Sequence, residues 1–325
     1  MISKASLTKN LTSLGRKISI VAPVYNESDS IIFFYGSLCK LFDQIPDFTF
    51  EVIFIDDGSL DDTLQKIISI SEEDSRFQVI ELSRNFGKEA ALTAGIDASI
   101  GDAVIPIDVD LQDPPDLIVD MIGEWLKGAE IVLAKRVNRS SDSFLKRNSA
   151  NIFYWAHNCL SSVKIPNNVG DFRLMDRVVI DAIKTIPERQ RFMKGLFSWV
   201  GFSTVTIEYV RNPRIAGATK FSGWKLWNFA LEGITSFSAL PLRIWTYIGL
   251  FGAISTIIYA GYIILKTLIL GIEVPGYASI IVAILFFGSL QLISIGVLGE
   301  YIGRIYMEAK GRPLYLIRRR YCHSK

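Results

Sequence analysis

Cysteine and histidine are scarce in this chain. Cys39, Cys159 and Cys322 stand far apart in 325 residues without CxxC spacing, which argues against a disulfide framework or a thiolate zinc site and leaves them reduced. The two histidines, His157 and His323, are too few and too distant to form a metal or acid–base pair. His157, among Phe153, Tyr154 and Trp155, reads as a packing residue. An excess of one charge is also missing: 35 Lys and Arg against 33 Asp and Glu give +2, so no nucleic acid partner is expected. Met1 to Lys17 is polar and basic with no apolar core. No signal peptide is therefore expected, and the first domain is placed in the cytosol.

Apolar side chains are abundant but unevenly spread. Half of the residues are hydrophobic and the mean hydropathy is +0.30, and residues 241–303 account for the excess. Ile244 to Leu265 and Val274 to Gly299 contain no charged residue, and each reaches the roughly 20 apolar residues that cross a bilayer. The short connection from Lys266 to Pro275 makes the pair a helical hairpin. Arg211, Arg214, Lys220, Lys225 and Arg243 precede it; Arg304, Lys310, Arg312, Arg318, Arg319 and Arg320 follow, and the loop between offers only Lys266. Basic residues stay on the cytoplasmic side, so both termini are expected there in a multi-pass plasma-membrane protein. Phe221 to Leu240, with Trp224, Trp227, Phe229, Leu231, Ile234 and Phe237, suits a helix lying in the interface; a core helix of the soluble domain fits the same pattern. Gly249, Gly252 and Ala253 permit the hairpin to pack against a second copy as a homo-oligomer.

From Lys17 onward, β-branched runs alternate with helical patterns, the mark of βαβ units and a mainly parallel sheet. Strands are predicted over Ile18 to Val24, Phe50 to Asp56, Phe77 to Leu82, Ala103 to Asp108 and Glu130 to Ala134. Helices are predicted over Thr63 to Ser71, Lys88 to Ala98 and Pro115 to Lys127. Open α/β sheets bind ligands beyond the carboxyl ends of their strands, and four of these strands end in polar clusters.

The most specific cluster is Asp108-Val109-Asp110-Leu111-Gln112-Asp113-Pro114-Pro115. Acids gathered after an apolar strand repel one another unless a cation sits between them, and carboxylate oxygens suit Mg²⁺ or Mn²⁺. In an extended run Asp108 and Asp110 would point to the same side. Ala22-Pro23-Val24-Tyr25-Asn26-Glu27, Ile55-Asp56-Asp57-Gly58-Ser59 and Ser83-Arg84-Asn85-Phe86-Gly87-Lys88 place hydrogen-bonding groups and cations at the same sheet edge. Taken singly, each is turn and cap chemistry; three at matching strand ends make a site.

In this order the motifs PVYNE, IDDGS, RNxGK and DVDLQDPP resemble the family 2 glycosyltransferases of GT-A (Rossmann-like) fold, specifically the polyprenyl-phosphate sugar transferases. That group includes the dolichol-phosphate mannose synthases and the bacterial bactoprenol glucosyltransferases. The resemblance covers about residues 17–220 by motif, and the two C-terminal helices match the bactoprenol branch; with the composition and charge above, a GT-A domain is expected over 1–220, an interfacial region over 221–240, a two-helix transmembrane hairpin over 241–303 and a basic cytoplasmic tail over 304–325. The resemblance implies that Pro23, Tyr25, Glu27, Ile55, Asp57, Asp108 and Val109 hold the nucleotide. Asp108, Asp110 and Gln112 would hold Mg²⁺ or Mn²⁺, and Arg136, Arg214 and Lys220 would meet phosphate groups, the last two in Arg-x-x-Gly-x-Thr-Lys, where Thr219 replaces the usual Ser. Val169-Gly170-Asp171-Phe172-Arg173-Leu174-Met175 resembles the segment carrying the catalytic acid, which makes Asp171 the candidate base; from the residues alone, an Asp after Gly reads as a loop turn.

The resemblance implies UDP-glucose as donor and undecaprenyl phosphate as acceptor, with inversion in one in-line displacement and a lipid-linked sugar as product for surface glycan (O-antigen) modification. Phosphate monoesters are mostly dianionic at neutral pH, so Asp171 has the alternative role of orienting the acceptor. Mannosyl or aminosugar transfer is the rival within enzymes, and a non-catalytic sugar–lipid scaffold or flippase subunit is the rival outside them. Gln190-Arg191-Phe192 does not match the processive Gln-x-x-Arg-Trp element, and two spans offer no tunnel for a growing polymer.

Overall fold

The computed structural model describes residues 15–137, 169–189, 191, 193–210, 240–270 and 276–323. The expectations placed on His157, Cys159, Arg214, Lys220 and the 221–240 helix lie outside these residues. Strands β1 (Lys17–Val24), β2 (Thr49–Asp56), β3 (Phe77–Leu82), β4 (Ala103–Pro106), β5 (Ile131–Arg136), β6 (Val169–Asp176), β7 (Thr204–Tyr209) and β8 (Ile317–Cys322) form one sheet, in the order β7-β5-β6-β4-β1-β2-β3-β8. β4, β1, β2 and β3 run parallel, whereas β6 is antiparallel to both β4 and β5, and β8 is antiparallel to β3. The sheet is therefore mixed.

The central strands are near-continuous apolar runs because both faces are covered. One face packs against α1 (Ser28–Gln44), α2 (Thr63–Glu73) and α4 (Leu117–Leu126), through Phe34, Leu38, Ile67 and Met121. The other packs against α3 (Lys88–Ala98), α5 (Arg177–Lys184) and α6 (Met193–Trp199), through Ala91, Leu92, Ile180 and Phe197. Gly95 lets α3 lie directly on the sheet: a Cβ there would stand 2.3 Å from Val21 Cγ1 and 2.6 Å from Ile55 Cδ1. The N-terminus of α3 is thereby fixed over the carboxyl ends of β1 and β2.

Helices α7 (Leu240–Leu270) and α8 (Tyr277–Lys310) follow. At 1.5 Å per residue they are roughly 46 and 51 Å long, longer than a ~30 Å hydrocarbon layer. Tyr247, Phe251, Leu268 and Leu292 are exposed on them. Among the described residues, one stretch, Phe286–Lys310, is long and apolar enough to cross a membrane, and none of it is buried in the protein.

Of the basic tail expected over 304–325, residues 304–310 belong to α8 and Ile317–Cys322 form β8. After Gly311 ends α8 in a left-handed conformation, β8 returns to the sheet and covers the edge of β3. Glu81, buried on β3, accepts hydrogen bonds from Arg318 at 3.1 Å and Tyr321 at 2.9 Å. Ser83 N donates to Leu316 O at 2.9 Å, and Tyr315 donates to Asp97 at the far end of α3 at 2.8 Å.

Candidate active site

The loops after β1, β2 and β3 are knitted together by side-chain-to-backbone bonds. Asn26, left-handed at φ 52°, accepts from Leu60 N at 2.8 Å, and its own N–H donates to Ser59 Oγ at 3.0 Å. Asp57 accepts from Phe86 N at 2.7 Å and Gly87 N at 2.9 Å. Burial pushes the Asp57 carboxyl up against the lowering effect of these bonds. Asp57 thus shapes the Ser83–Gly87 loop that delivers α3. Pro23 and Ile55 are register partners on β1 and β2, but the Ile55 side chain is fully buried under α3 and Val109 lies in the opposite core layer. Any contact these two residues make with a nucleotide comes from their backbones.

The acidic cluster is not extended. β4 stops at Pro106, and after Asp108 a turn forms at Val109 and Asp110, with Leu111 at φ 56°. The strand expected to run to Asp108 therefore ends two residues early, because the main chain must leave the sheet edge and enter α4. Asp110 accepts from Gln112 N at 3.1 Å. Gln112 Oε1 is buried and receives no hydrogen bond from the described residues, a cost relieved by a cation or a donor. No group of three His, Cys, Asp or Glu converges on a metal position among the described residues. The available oxygen set is two carboxylates and an amide, a hard-donor set that fits Mg²⁺ or Mn²⁺.

Asp171 lies on β6, a strand, rather than in a loop. Lys88, in the first turn of α3, joins it to the acidic turn: its Nζ stands 2.7 and 2.8 Å from the two oxygens of Asp108 and 2.9 Å from Asp171 Oδ2. Burial by itself would raise the Asp171 carboxyl, but Lys88, Lys194 and Arg173 together hold it well below the usual carboxylate range. Burial would likewise lower the Lys88 ammonium, and the two aspartates overcome that and raise it. The second oxygen of Asp171, Oδ1, is buried and accepts no hydrogen bond from the described residues. Glu89 accepts from Met193 N at 3.2 Å, tying α3 to α6; burial, then the Asp171 charge, push Glu89 up to about 7.

Arg136 closes the other side. Its Nε donates to Tyr209 OH at 3.1 Å, it pairs with Asp113 at 3.7 Å, and Tyr209 donates to Asp113. Burial and then Asp113 push the Tyr209 hydroxyl up to about 12. A Cβ on Gly170 would meet Arg136 at 3.0 Å, so glycine there lets the guanidinium lie against β6 beside Asp171. The structure therefore brings Asp108, Asp110, Gln112, Arg136 and Asp171 to one edge, and adds Lys88, Glu89, Asp113, Lys194 and Tyr209. Of the added residues, Lys88 and Asp113 had a sequence signal, the first as the cation closing the cluster after β3 and the second within the acidic cluster after β4.

The sequence pattern of glycosyl transferase family 2 matches residues 19–184, and that of the GtrB C-terminal hairpin matches 240–305. The chain belongs to glycosyltransferase family 2. It is 55% identical over 304 residues to the bactoprenol glucosyl transferase of Shigella phage SfX, covering 94% of this chain and 99% of that protein. It is also 55% identical over 303 residues to the prophage bactoprenol glucosyl transferase homolog of Escherichia coli (strain K12), covering 93% and 99%. Glucosyl-3-phosphoglycerate synthase from Mycobacterium tuberculosis matches with a TM-score of 0.44 at 22% identity, over 67% of this chain and 77% of that one. As a family 2 member the chain is a glycosyltransferase with a GT-A α/β domain, as the motifs implied.

Proposed function

We propose that this enzyme transfers glucose from UDP-glucose to a polyprenyl phosphate, undecaprenyl phosphate in a bacterial plasma membrane, with inversion at the anomeric carbon. The observation that carries this reading is kinship to bactoprenol glucosyl transferases over 94% of the chain, through both the catalytic and the hairpin regions. Asp108, Asp110 and Gln112 are the residues to hold Mg²⁺ or Mn²⁺, an assignment supported by the unsatisfied Gln112 oxygen. When bound, that ion supplies charge neutralisation for the departing diphosphate. Pro23, Tyr25, Glu27 and Asp57 line the edge where the base and ribose would lie, and Arg136, Arg214 and Lys220 are the proposed phosphate contacts.

Asp171, held anionic by its cations, is a weak base, and the acceptor phosphate barely needs one. Its part is to orient: it fixes Lys88 and draws Lys194 to where a phosphate dianion attacks. No covalent sugar–enzyme intermediate is involved in a single displacement.

The membrane topology proposed is two crossings with both ends cytoplasmic. Its support is that β3 and β8 share one sheet although α7 and α8 lie between them in sequence. Strands in one sheet lie on one side of a bilayer, so the intervening helices cross an even number of times.

The test incubates membranes containing the protein with undecaprenyl phosphate and radiolabelled UDP-glucose, GDP-mannose or UDP-N-acetylglucosamine, with and without EDTA. Label enters the lipid fraction from UDP-glucose, EDTA abolishes it, and the product is β-linked. No label from any donor overturns the enzymatic reading; label from another donor reassigns the sugar.

A further inference from the structure

The proposed reaction uses Lys88 beside Asp171 but does not explain its contact with Asp108. One ammonium contacts both oxygens of Asp108 and one of Asp171. It therefore spans the acid assigned to the cation and the acid assigned to the acceptor side. A divalent ion on Asp108 would share that carboxylate with a fixed positive charge, and the two repel. The Lys88 stem is open to solvent, 46% of the side chain being exposed, while the flanking acids cover its ammonium end, so rotation of the stem takes the ammonium off Asp108 without crossing packed core. Its backbone cannot follow, because Gly95 locks α3 onto Val21 and Ile55 and Asp57 holds the preceding loop.

We propose that Lys88 is a built-in counter-cation that makes divalent-ion binding at Asp108 conditional on a diphosphate. It occupies Asp108 until an anionic diphosphate offers it another partner. Asp171 keeps it within reach. The device ensures that ion and nucleotide bind as a unit rather than the ion alone, and by linkage each tightens the other by the same factor. This inference rests on the reading of Asp108 as an ion ligand.

The experiment measures Mn²⁺ affinity of the full-length protein in detergent from the free-ion electron paramagnetic resonance signal, with and without UDP. In wild type, Mn²⁺ binds weakly alone and much more tightly with UDP. Lys88→Met tightens nucleotide-free Mn²⁺ binding about tenfold and shrinks the enhancement by UDP, whereas Lys88→Arg, which keeps the charge, behaves like wild type. Lys194→Met removes a neighbouring charge that does not contact Asp108, and its effect is several-fold smaller. Thermal unfolding midpoints verify that each variant is folded, with Lys88→Gln replacing Met if Met disturbs the fold. Unchanged or weaker Mn²⁺ binding in Lys88→Met, an unchanged UDP enhancement, or an equal effect of Lys194→Met overturns the proposal. Asp108→Asn separates the two readings: if it binds Mn²⁺ like wild type, the ligand assignment itself fails, and if it alone loses binding, only the role of Lys88 fails.

Discussion

Replacing Gly58 with alanine tests how the three loops are locked together. Gly58 has φ +72°, and a Cβ there would stand 2.7 Å from Asn85 N and 2.8 Å from Arg84 C. The left-handed conformation costs a residue with a Cβ about 1–2 kcal/mol. The clash is with main chain, so no rotamer relieves it. The Ser83–Gly87 loop cannot yield freely, because Asp57 grips Phe86 and Gly87 and Leu316 O accepts from Ser83 N at 2.9 Å. An overpacking cost of about 1–3 kcal/mol follows, which brings the total to about 2–5 kcal/mol. For a domain of this size each kcal/mol lowers the unfolding midpoint by about 2–4 °C, so a drop of roughly 4–20 °C is expected by tryptophan fluorescence in detergent. Gly58→Asn retains the clash but tolerates the dihedral, so it should recover only part of the loss. Gly36→Ala, in α1 with nothing within 4 Å of its Cβ, is the control and should gain about 0.5–1 kcal/mol. A Gly58→Ala midpoint within about 2 °C of wild type would refute the packing argument.

Three further outcomes follow, two from the site and one from the β3–β8 edge. Asp171→Asn should lower glucosyl transfer about 100-fold or more while donor binding, read by calorimetry, stays within about threefold; an unchanged rate removes Asp171 from the catalytic set. Burial and the Asp171 charge push Glu89 up to about 7 from an ordinary 4.5, so the native state keeps a proton that the unfolded chain releases, and its contribution to stability declines as pH rises from about 4.5 to about 7. Unfolding midpoints across that window should therefore fall more steeply for wild type than for Glu89→Gln, and parallel curves would exclude the shift. Tyr321→Phe deprives buried Glu81 of one of its two donors and should cost about 1–2 kcal/mol, below the usual ~1.5–3 for a charged bond because Tyr321 is half-buried; urea titration of the variant checks it.

The first five strands were legible because each is an apolar run covered on both faces, and their polar endings marked the site edge. β6 was not, because Gly170, Asp171, Arg173 and Asp176 interrupt its pattern. Arg173 is buried all the same: its guanidinium lies 4.3 Å from the Phe197 ring and donates to Gly170 O at 2.7 Å, partners that sequence spacing does not announce. β8 was hidden for a different reason. Arg318, Arg319 and Arg320 look like a charge run flanking a membrane span, and the strand is specified by Glu81, 237 positions from Arg318. Periodicity also failed there, since the register shifts between Glu81 and Leu82. At the site, residue types were readable at Asp108 and Asp171, but that one lysine joins them depends on how closely α3 lies on the sheet.

The return of β8 also sets an order of events during synthesis. β3 leaves the ribosome long before its neighbour exists: at ~5–20 residues per second, the stretch from Leu82 to Ile317 takes roughly 10–50 s to make. Throughout that time β3 is an open edge, the kind of strand that recruits foreign chains. Glu81 then stands on that edge without Arg318 and Tyr321, and its bare charge discourages pairing with anything that cannot neutralise it. The same side chain that anchors the finished sheet thus guards the unfinished one, and the catalytic domain is completed only after both long helices have been made.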